Sequence, residues 1–373
     1  MKEEGEAVRF IDREAFAPLL AELEARRYEL IGPTVRDGTI VLDAIEGPGD
    51  LPRGVAEIQG AGTYRLEDRG DDRLFGFAHG PHSAKQFLFP PVEVVAEAER
   101  VDGRLRVEEP VREQPKYAFI GLRSCDLHAM AIQDRVLLSD PSYRARREAA
   151  FVVAVNCSEP GATCFCRSTG TGPRCGEGFD LALTELVSGF LVEVGTARGG
   201  EVLEAVGSAA ARPEQESEAR RIWSDAGARM GRRVDTAGLR DLLYRNRENA
   251  EWRAIADVCP ACGNCTAVCP TCFCHDVVDA TDITGGQATR TRTWASCFSQ
   301  EFSHTAGGDV RTSREARYRQ WLTHKFAGWI EQFGTSGCVG CGRCITWCPV
   351  GIDITRELEA IRSSDGALQE AAS

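Results

Sequence analysis

Two runs of four cysteines in the C-terminal third constrain the fold of this chain more than any other feature. Both have the spacing C-x2-C-x2-C-x3-C-P. The first run is Cys259, Cys262, Cys265 and Cys269 followed by Pro270, and the second is Cys338, Cys341, Cys344 and Cys348 followed by Pro349. Three thiolates at this spacing can bend around one four-iron cluster, while the fourth points away toward another cluster. The pattern therefore predicts two 4Fe-4S clusters and a protein that carries electrons.

The same spacing is typical of bacterial ferredoxins with two clusters, in which the two runs exchange their fourth ligands. One cluster would take Cys259, Cys262, Cys265 and Cys348, and the other would take Cys338, Cys341, Cys344 and Cys269. Zinc ribbons are the alternative, since they also use paired C-x2-C units. A zinc site explains neither the third thiolate of each run nor the proline after the fourth.

Three further cysteines lie between the runs, at Cys272, Cys274 and Cys297. Any of them could replace Cys269 or Cys348 as a fourth ligand. Buried free thiols are also common in protein cores and are usually inert. The spacing leaves both interpretations open.

A second set of cysteines lies in the N-terminal half: Cys125, Cys157, Cys164, Cys166 and Cys175. Apolar runs at residues 117–122 and 151–155 predict two strands, with a helix at residues 126–138 between them. Ligands usually bind at the carboxyl ends of such strands, so we expect a third cluster held by Cys125, Cys157, Cys164 and Cys166, with Cys175 as a spare. A redox-active or zinc-binding loop is the alternative. His128 is interpreted as a helix-face histidine and not as a ligand.

The periodicity of the chain predicts an α+β protein. An α/β-type iron–sulfur domain would span residues 1–200, a helical linker 201–250, and a mainly α-helical two-cluster ferredoxin-like domain 251–373. A helix is expected at residues 13–27, with Phe16, Leu19, Leu20 and Leu23 on one face. Thr312 with Glu315 resembles a capping box at the start of a further helix. The aromatic residues that recur on one face of this helix, from Tyr318 to Phe333, are interpreted as core or as a subunit interface.

Composition and charge exclude several classes of protein. The net charge of -12 argues against a nucleic-acid partner. No apolar run approaches the length of a membrane span, and no apolar segment follows the polar N-terminus as in a signal peptide. Sixteen cysteines in such a chain indicate metal ligation in a reducing cytoplasm. Export together with a partner that carries a twin-arginine signal is the alternative.

Several motifs of substrate chemistry are missing from the sequence. No G-x-G-x-x-G opens a strand–helix unit, and no lysine completes a P-loop around residues 170–173. There is no Cys-Cys pair of the heterodisulfide-reductase type, and no C-x5-C with C-x3-C arrangement of the kind that binds sirohaem. We therefore expect a non-catalytic electron carrier.

Several segments together resemble the β subunit of soluble, NAD(P)-linked NiFe hydrogenases, also called sulfhydrogenases. They are Pro-His-Ser-Ala-Lys at 81–85, Phe-Leu-Phe-Pro-Pro at 87–91, Gly-Leu-Arg-Ser-Cys-Asp-Leu-His-Ala at 121–129, Asn-Cys-Ser-Glu-Pro-Gly at 156–161, Cys-Phe-Cys at 164–166, Gly-Thr-Gly-Pro at 170–173, Gly-Phe-Asp-Leu-Ala-Leu-Thr-Glu at 178–185, and the cysteine-rich stretches 259–274 and 338–349. The electron-transfer subunit of anaerobic sulfite reductase is built on the same plan.

This resemblance implies a relay subunit with several 4Fe-4S clusters. Its partners would be a flavin-containing subunit that handles NAD(P)H, a small iron–sulfur subunit, and the NiFe catalytic subunit. The alternatives are the corresponding subunit of a sulfite reductase complex and a metal-binding protein without redox flow.

Overall fold

The computed structural model describes residues 8–108 and 115–372, with side chains through residue 365. The strands are β1 (Arg9–Asp12), β2 (Glu29–Arg36), β3 (Thr39–Ala44), β4 (Val55–Gly60), β5 (Thr63–Asp68), β6 (Val92–Val101), β7 (Arg104–Glu108), β8 (Tyr117–Leu122), β9 (Phe151–Val155), β10 (Leu181–Glu185), β11 (Gly189–Val194), β12 (Ala209–Ala210), β13 (His275–Thr281), β14 (Gln287–Trp294), β15 (His304–Thr305) and β16 (Gly308–Asp309).

The helices are α1 (Phe16–Ala25), α2 (Lys85–Leu88), α3 (Ser124–Leu137), α4 (Pro141–Ala149), α5 (Ala197–Val206), α6 (Pro213–Ala228), α7 (Leu239–Arg245), α8 (Glu251–Val258), α9 (Asn264–Ala267), α10 (Arg314–Thr323), α11 (Trp329–Phe333), α12 (Arg343–Thr346) and α13 (Ile354–Ala372). A π-helical turn, His324–Gly328, joins α10 to α11. None of the helices in the described part of the chain is both long enough and apolar enough to span a membrane.

An eight-stranded sheet organises the N-terminal half, in the order β12-β1-β11-β10-β9-β8-β2-β3. Its central neighbours β2, β8, β9 and β10 are parallel, and the outer pairs are antiparallel. Every residue of β9 and of β10 is buried. Parallel strands covered on both faces read as continuous apolar runs, which explains why β8 and β9 have the bounds predicted from sequence.

Alternate residues of the central strands contribute to two separate cores. Val153 and Val155 pack with the apolar face of α1 and with α5, whereas Val152 and Ala154 pack with α3 and α4. This follows from the two-residue period of a strand, which points successive side chains to opposite faces. The sheet is therefore the middle of three layers. The predicted helices at residues 13–27 and 126–138 are confirmed as α1 and α3.

A smaller, four-stranded sheet in the order β13-β14-β6-β7 joins distant parts of the chain. Here β14 pairs antiparallel with β6, so that Thr293 lies opposite Val92. The hairpin β13–β14 lies between the two cysteine runs, where the sequence alone predicts mainly helix. The prediction of a mainly helical C-terminal part is therefore not confirmed, and this part mixes helices with strands. The domain boundaries at residues 200 and 250 stay a prediction.

A third core fills the C-terminal part, where α8, α10 and α13 pack together. Tyr318, Trp321, Leu322 and Phe326 from the predicted aromatic stripe are buried in it beside Trp252. The predicted capping box at Thr312 is wrong by one residue. Ser313 is the N-cap of α10, and its hydroxyl accepts a hydrogen bond from the Ala316 amide.

Candidate metal centres

Cysteines of both runs line one pocket, which we call the first-run pocket. Its thiols are Cys259, Cys262, Cys265, Cys344 and Cys348, and its walls are largely apolar, with Phe298, Tyr318, Trp321, Ile352 and Ile354 among them. The predicted fourth ligand, Cys348, is therefore brought to the three cysteines of the first run despite the distance along the chain. Cys262 is exposed to solvent, and Cys259 and Cys348 are buried.

Backbone geometry around the first run explains how its thiols converge. Helix α8 ends at Val258, and the chain then turns through positive φ at Ala261 (57°) and Gly263 (74°). The short helix α9 follows directly. Beside the same pocket, the Ile352 amide donates to Cys348 Sγ over 3.3 Å, which fixes the position of this thiol.

A second group, the second-run set, consists of Cys338, Cys341, Cys344 and Cys269. Burial raises the pKa of the Cys338 thiol to about 12, while Lys325 and the Gly340 amide act in the opposite direction. The charge of Cys269 acts on the first three thiols of the second run, Cys338, Cys341 and Cys344. The structure thus also brings the predicted partner from the first run to this set.

The N-terminal set comprises Cys125, Cys157, Cys164, Cys166 and Cys175. All are buried except Cys157, which is partly exposed. Burial raises the pKa of each thiol, and charge on neighbouring members of the set, or for Cys157 on Asp126 and Glu57, adds to this effect. The four predicted ligands lie in one buried neighbourhood, and the spare Cys175 lies beside Cys157, with its amide donating to Asn156 Oδ1 over 2.7 Å.

The N-terminal set lies directly against the second run. The thiol of Cys164 is 3.5 Å from the carbonyl oxygen of Cys341, and Cys125, Cys166 and Cys341 share one apolar cluster. Two glycines permit this approach. A Cβ on Gly340 would lie 2.7 Å from the Cys166 amide nitrogen, and a Cβ on Gly342 would lie 2.5 Å from the Thr163 carbonyl oxygen.

A buried ion pair also connects the second run to helix α3 of the N-terminal half. Arg343, within the second run, lies 2.8 Å from an oxygen of Asp126 on α3, and it also donates to the Gly80 carbonyl over 2.9 Å. Burial alone would raise the pKa of Asp126, but Arg343, His79 and the hydrogen bond from the Arg123 amide together outweigh it, so this pKa is lowered. His128, two residues further on, is half-buried on α3 as predicted, and burial lowers its pKa.

Of the three remaining cysteines, Cys272 lies beside Cys269, and Cys274 and Cys297 lie beside each other. The Cys272 thiol hydrogen-bonds to Cys269, and Cys297 hydrogen-bonds to Cys274. Burial raises the pKa of Cys272 in addition to this bond, whereas the bond from Cys297 lowers the pKa of Cys274 to about 7. These thiols therefore form two close pairs, one of which includes Cys269 of the second-run set.

Two buried lysines at this place were missed by the sequence reasoning. Lys325 donates to Cys269 Sγ over 3.2 Å. Lys85 donates to the carbonyls of Ala267 and Cys269 over 3.1 and 2.9 Å and lies 3.8 Å from the Trp294 ring centre. A compositional signal was available, because only four of the 44 basic residues are lysines.

The donor sets fit iron–sulfur clusters chemically. Buried thiolates that repel one another need a positive, soft partner, and iron in a cubane supplies one. No group of three or more His, Cys, Asp or Glu side chains in the described ranges is arranged for a single metal ion. A four-iron cluster holds its thiolates farther apart than one ion does. All eight cysteines of the two runs would therefore serve as cluster ligands: the first three of each run, together with Cys269 and Cys348.

Comparison with known proteins agrees with this chemistry. Residues 258–352 match the family model of the 4Fe-4S dicluster domain. The chain is 32% identical over 318 residues to Sulfhydrogenase 2 subunit beta of Pyrococcus furiosus, an alignment that covers 80% of this chain and 89% of that relative. No solved structure matches the chain. The chain belongs to the family of sulfhydrogenase β subunits, and its C-terminal third carries a 4Fe-4S dicluster domain.

Proposed function

We propose that this chain is the non-catalytic electron-transfer subunit of a cytoplasmic, NAD(P)-linked NiFe hydrogenase. The observation that carries the proposal is the first-run pocket, in which Cys259, Cys262 and Cys265 meet Cys348 of the second run. This exchange is what two interlocked cubanes require. When bound, such clusters accept and release single electrons.

We propose one cluster for each of the three thiol groups. The first-run pocket would hold one cluster with Cys259, Cys262, Cys265 and Cys348. The second-run set would hold another with Cys338, Cys341, Cys344 and Cys269, and the N-terminal set a third with Cys125, Cys157, Cys164 and Cys166.

The three groups are arranged in series. Cys344 lines the first-run pocket while belonging to the second run, and Cys341 lies against Cys164 of the N-terminal set. The chain's residues hold the thiols in this order, and among them Cys262 of the first-run pocket is exposed, while Cys157 of the N-terminal set is partly exposed. Electrons would therefore enter or leave near Cys262 and near the N-terminal set.

The partners are proposed from the family relationship. The relative is by its name a sulfhydrogenase subunit. We propose a flavin-containing NAD(P)H-handling subunit, a small iron–sulfur subunit, and a NiFe catalytic subunit as the partners of this chain, with the substrate chemistry taking place in them. The chain would relay electrons between the flavin-containing partner and the hydrogenase core or an external acceptor.

Iron and acid-labile sulfide analysis with EPR on anaerobically purified protein tests the cluster assignment. Cys164→Ser and Cys166→Ser should each lower the iron content by about one cubane and leave the other two loaded. Cys175→Ser, which alters the spare thiol of the same set, should retain all iron. Full iron in both ligand variants would remove the N-terminal cluster, and a zinc-only wild type would contradict the whole proposal.

Isolation of the native complex tests the partners. Nickel in the complex, together with hydrogen-dependent reduction of NAD(P), is the expected result. Sirohaem in place of nickel would identify the chain as the electron-transfer subunit of an anaerobic sulfite reductase complex instead. A chain isolated alone, with metal but without reducible clusters, would indicate a metal-binding protein.

A further inference from the structure

Lys325 is a buried ammonium group in the middle of the cysteine-rich region. Its exposed fraction is 5%, and its Nζ lies 3.2 Å from Cys269 Sγ, 3.2 Å from Thr271 Oγ1 and 3.4 Å from Cys272 Sγ. An ammonium has three N–H donors, so all three are engaged. The Thr271 hydroxyl donates to the Gly337 carbonyl over 2.8 Å, which leaves its oxygen free to accept from Lys325.

The backbone holds this lysine in place. Lys325 lies in the π-helical turn between α10 and α11, and such turns occur frequently at functional sites. Its carbonyl accepts hydrogen bonds from the Gly337 amide over 2.8 Å and from the Ser336 hydroxyl over 3.3 Å. Both donors directly precede Cys338, so the turn and the second run are fixed to each other.

A lysine at this position is unusual in an arginine-rich chain. Lysine supplies only four of the 44 basic residues, and two of them, Lys85 and Lys325, are buried beside Cys269. An ammonium is a compact charge on a flexible stem, whereas a guanidinium is a wide planar fork. Three acceptors converging within 3.4 Å of one nitrogen match the smaller group.

The charge of Lys325 acts more directly on the second-run set than on the thiols of the first-run pocket. It contacts Cys269 and acts on Cys338, both in the second-run set. In the first-run pocket it acts on Cys265, without a hydrogen bond to that thiol among the described contacts.

We propose that Lys325 is a positioning residue that raises the reduction potential of the second-run cluster above that of the first-run cluster. The proposal rests on the proposed function, because it takes Cys269 as a cluster ligand. Reduction adds negative charge to a cluster, and a hydrogen bond from a cation to a ligating sulfur stabilises the reduced form. An electron that enters the ferredoxin half would then reside on the cluster next to the N-terminal set.

The test is an EPR-monitored redox titration of the anaerobically purified full chain with Lys325→Met. We expect the iron content to be kept and the potential of one ferredoxin-type cluster to fall. The shift should be about 59 mV or more, which is a tenfold change in a one-electron equilibrium, and the other cluster should shift less. Lys325→Arg keeps the charge and should shift the potential less than Met does. Lys116→Met, at an exposed lysine, is the matched control and should change nothing.

Unchanged potentials in an iron-replete Lys325→Met protein would overturn this proposal and leave the proposed function intact. If Met disturbs cluster assembly, Lys325→Gln keeps an N–H donor without the charge and allows the same titration. Loss of iron from both neutral variants would make Lys325 a structural residue and would also overturn the proposal. A wild type without reducible clusters would instead remove the proposed function.

Discussion

The two cysteine runs have the same spacing and lie in different surroundings. The first run opens to solvent at Cys262 and is walled by aromatic and aliphatic side chains. The second run is enclosed by the N-terminal half, with Gly342 against Thr163 and Arg343 paired with Asp126. The cysteines determine where the thiols meet, and the residues between them determine what each run is attached to.

The largest expected effect comes from the arginine that distinguishes the runs. Arg343→Met leaves Asp126 buried without its cation, and breaking such a pair costs about 3–5 kcal/mol. The matched change in the first run is Asn264→Ala, which removes a hydrogen bond to the Trp347 carbonyl and should cost about 1 kcal/mol. Thermal unfolding of the two variants measures the difference.

The carboxylate gives this prediction a control and a pH dependence. Asp126→Asn in the Arg343→Met background should recover much of the lost stability. In the wild type the pKa of Asp126 is lowered, so this carboxylate stabilises the fold at pH values above the usual pKa range of carboxyl groups. That stability is lost as the pH falls through the pKa of the folded state. In Arg343→Met the burial of Asp126 is opposed only by the weaker effects of His79 and the Arg123 amide, so its pKa should be higher and the loss of stability at falling pH should be smaller. Equal acid sensitivity in both proteins would contradict this assignment.

The next effect compares glycines at the same position of each run. Both have positive φ, 74° at Gly263 and 77° at Gly342, so alanine costs about 1–2 kcal/mol at either. At Gly342 the new Cβ would also meet the Thr163 backbone at 2.5 Å, whereas at Gly263 it would meet the Ser296 side chain at 2.9 Å, which can move. Gly342→Ala should therefore be less stable by roughly a further 1–3 kcal/mol. Equal melting temperatures would show that the second run is not held more tightly.

A smaller effect is expected from an aromatic contact of the second run. Tyr64 on β5 packs on Trp347, with ring centres 4.9 Å apart. Such pairs contribute about 0.5–1.5 kcal/mol beyond their buried area, so Tyr64→Leu should lower stability by about 1 kcal/mol. The first run has Val268 where the second has Trp347, and Val268→Ala should change stability less.

The smallest expected difference concerns exposure to air. Susceptibility of a thiolate to oxidation follows its accessibility, and Cys262 is exposed while Cys341 is buried. The cluster in the first-run pocket should therefore lose its EPR signal somewhat earlier than the second-run cluster. Simultaneous loss of both signals would show that exposure of Cys262 does not govern decay.

Much of the fold could be predicted from local patterns. Strands β8 and β9 were predicted with their observed bounds because buried parallel strands are continuous apolar runs. The hairpin β13–β14 was not, since most of its residues are exposed and its polar sequence carries no apolar alternation. The cap of α10 was misplaced because Thr312 and Ser313 are both good capping residues.

The site was predictable where thiol spacing marks it and not where contacts are long-range. The meeting of Cys348 with the first run follows from spacing alone. The pairing of Arg343 with Asp126, and the burial of Lys325 among sulfur atoms, depend on how distant segments pack. Charged residues of these types are usually exposed, so no local pattern marks them.

The shared four-stranded sheet sets a limit on how this protein could be divided. Strand β14 from the cysteine-rich part takes its hydrogen bonds from β6 of the N-terminal half. A shortened chain that begins at residue 251 would leave the β14 edge without its partner, and unpaired edges template aggregation. The electron-carrying half is thus not a detachable module, although its cysteine pattern is that of a small independent carrier.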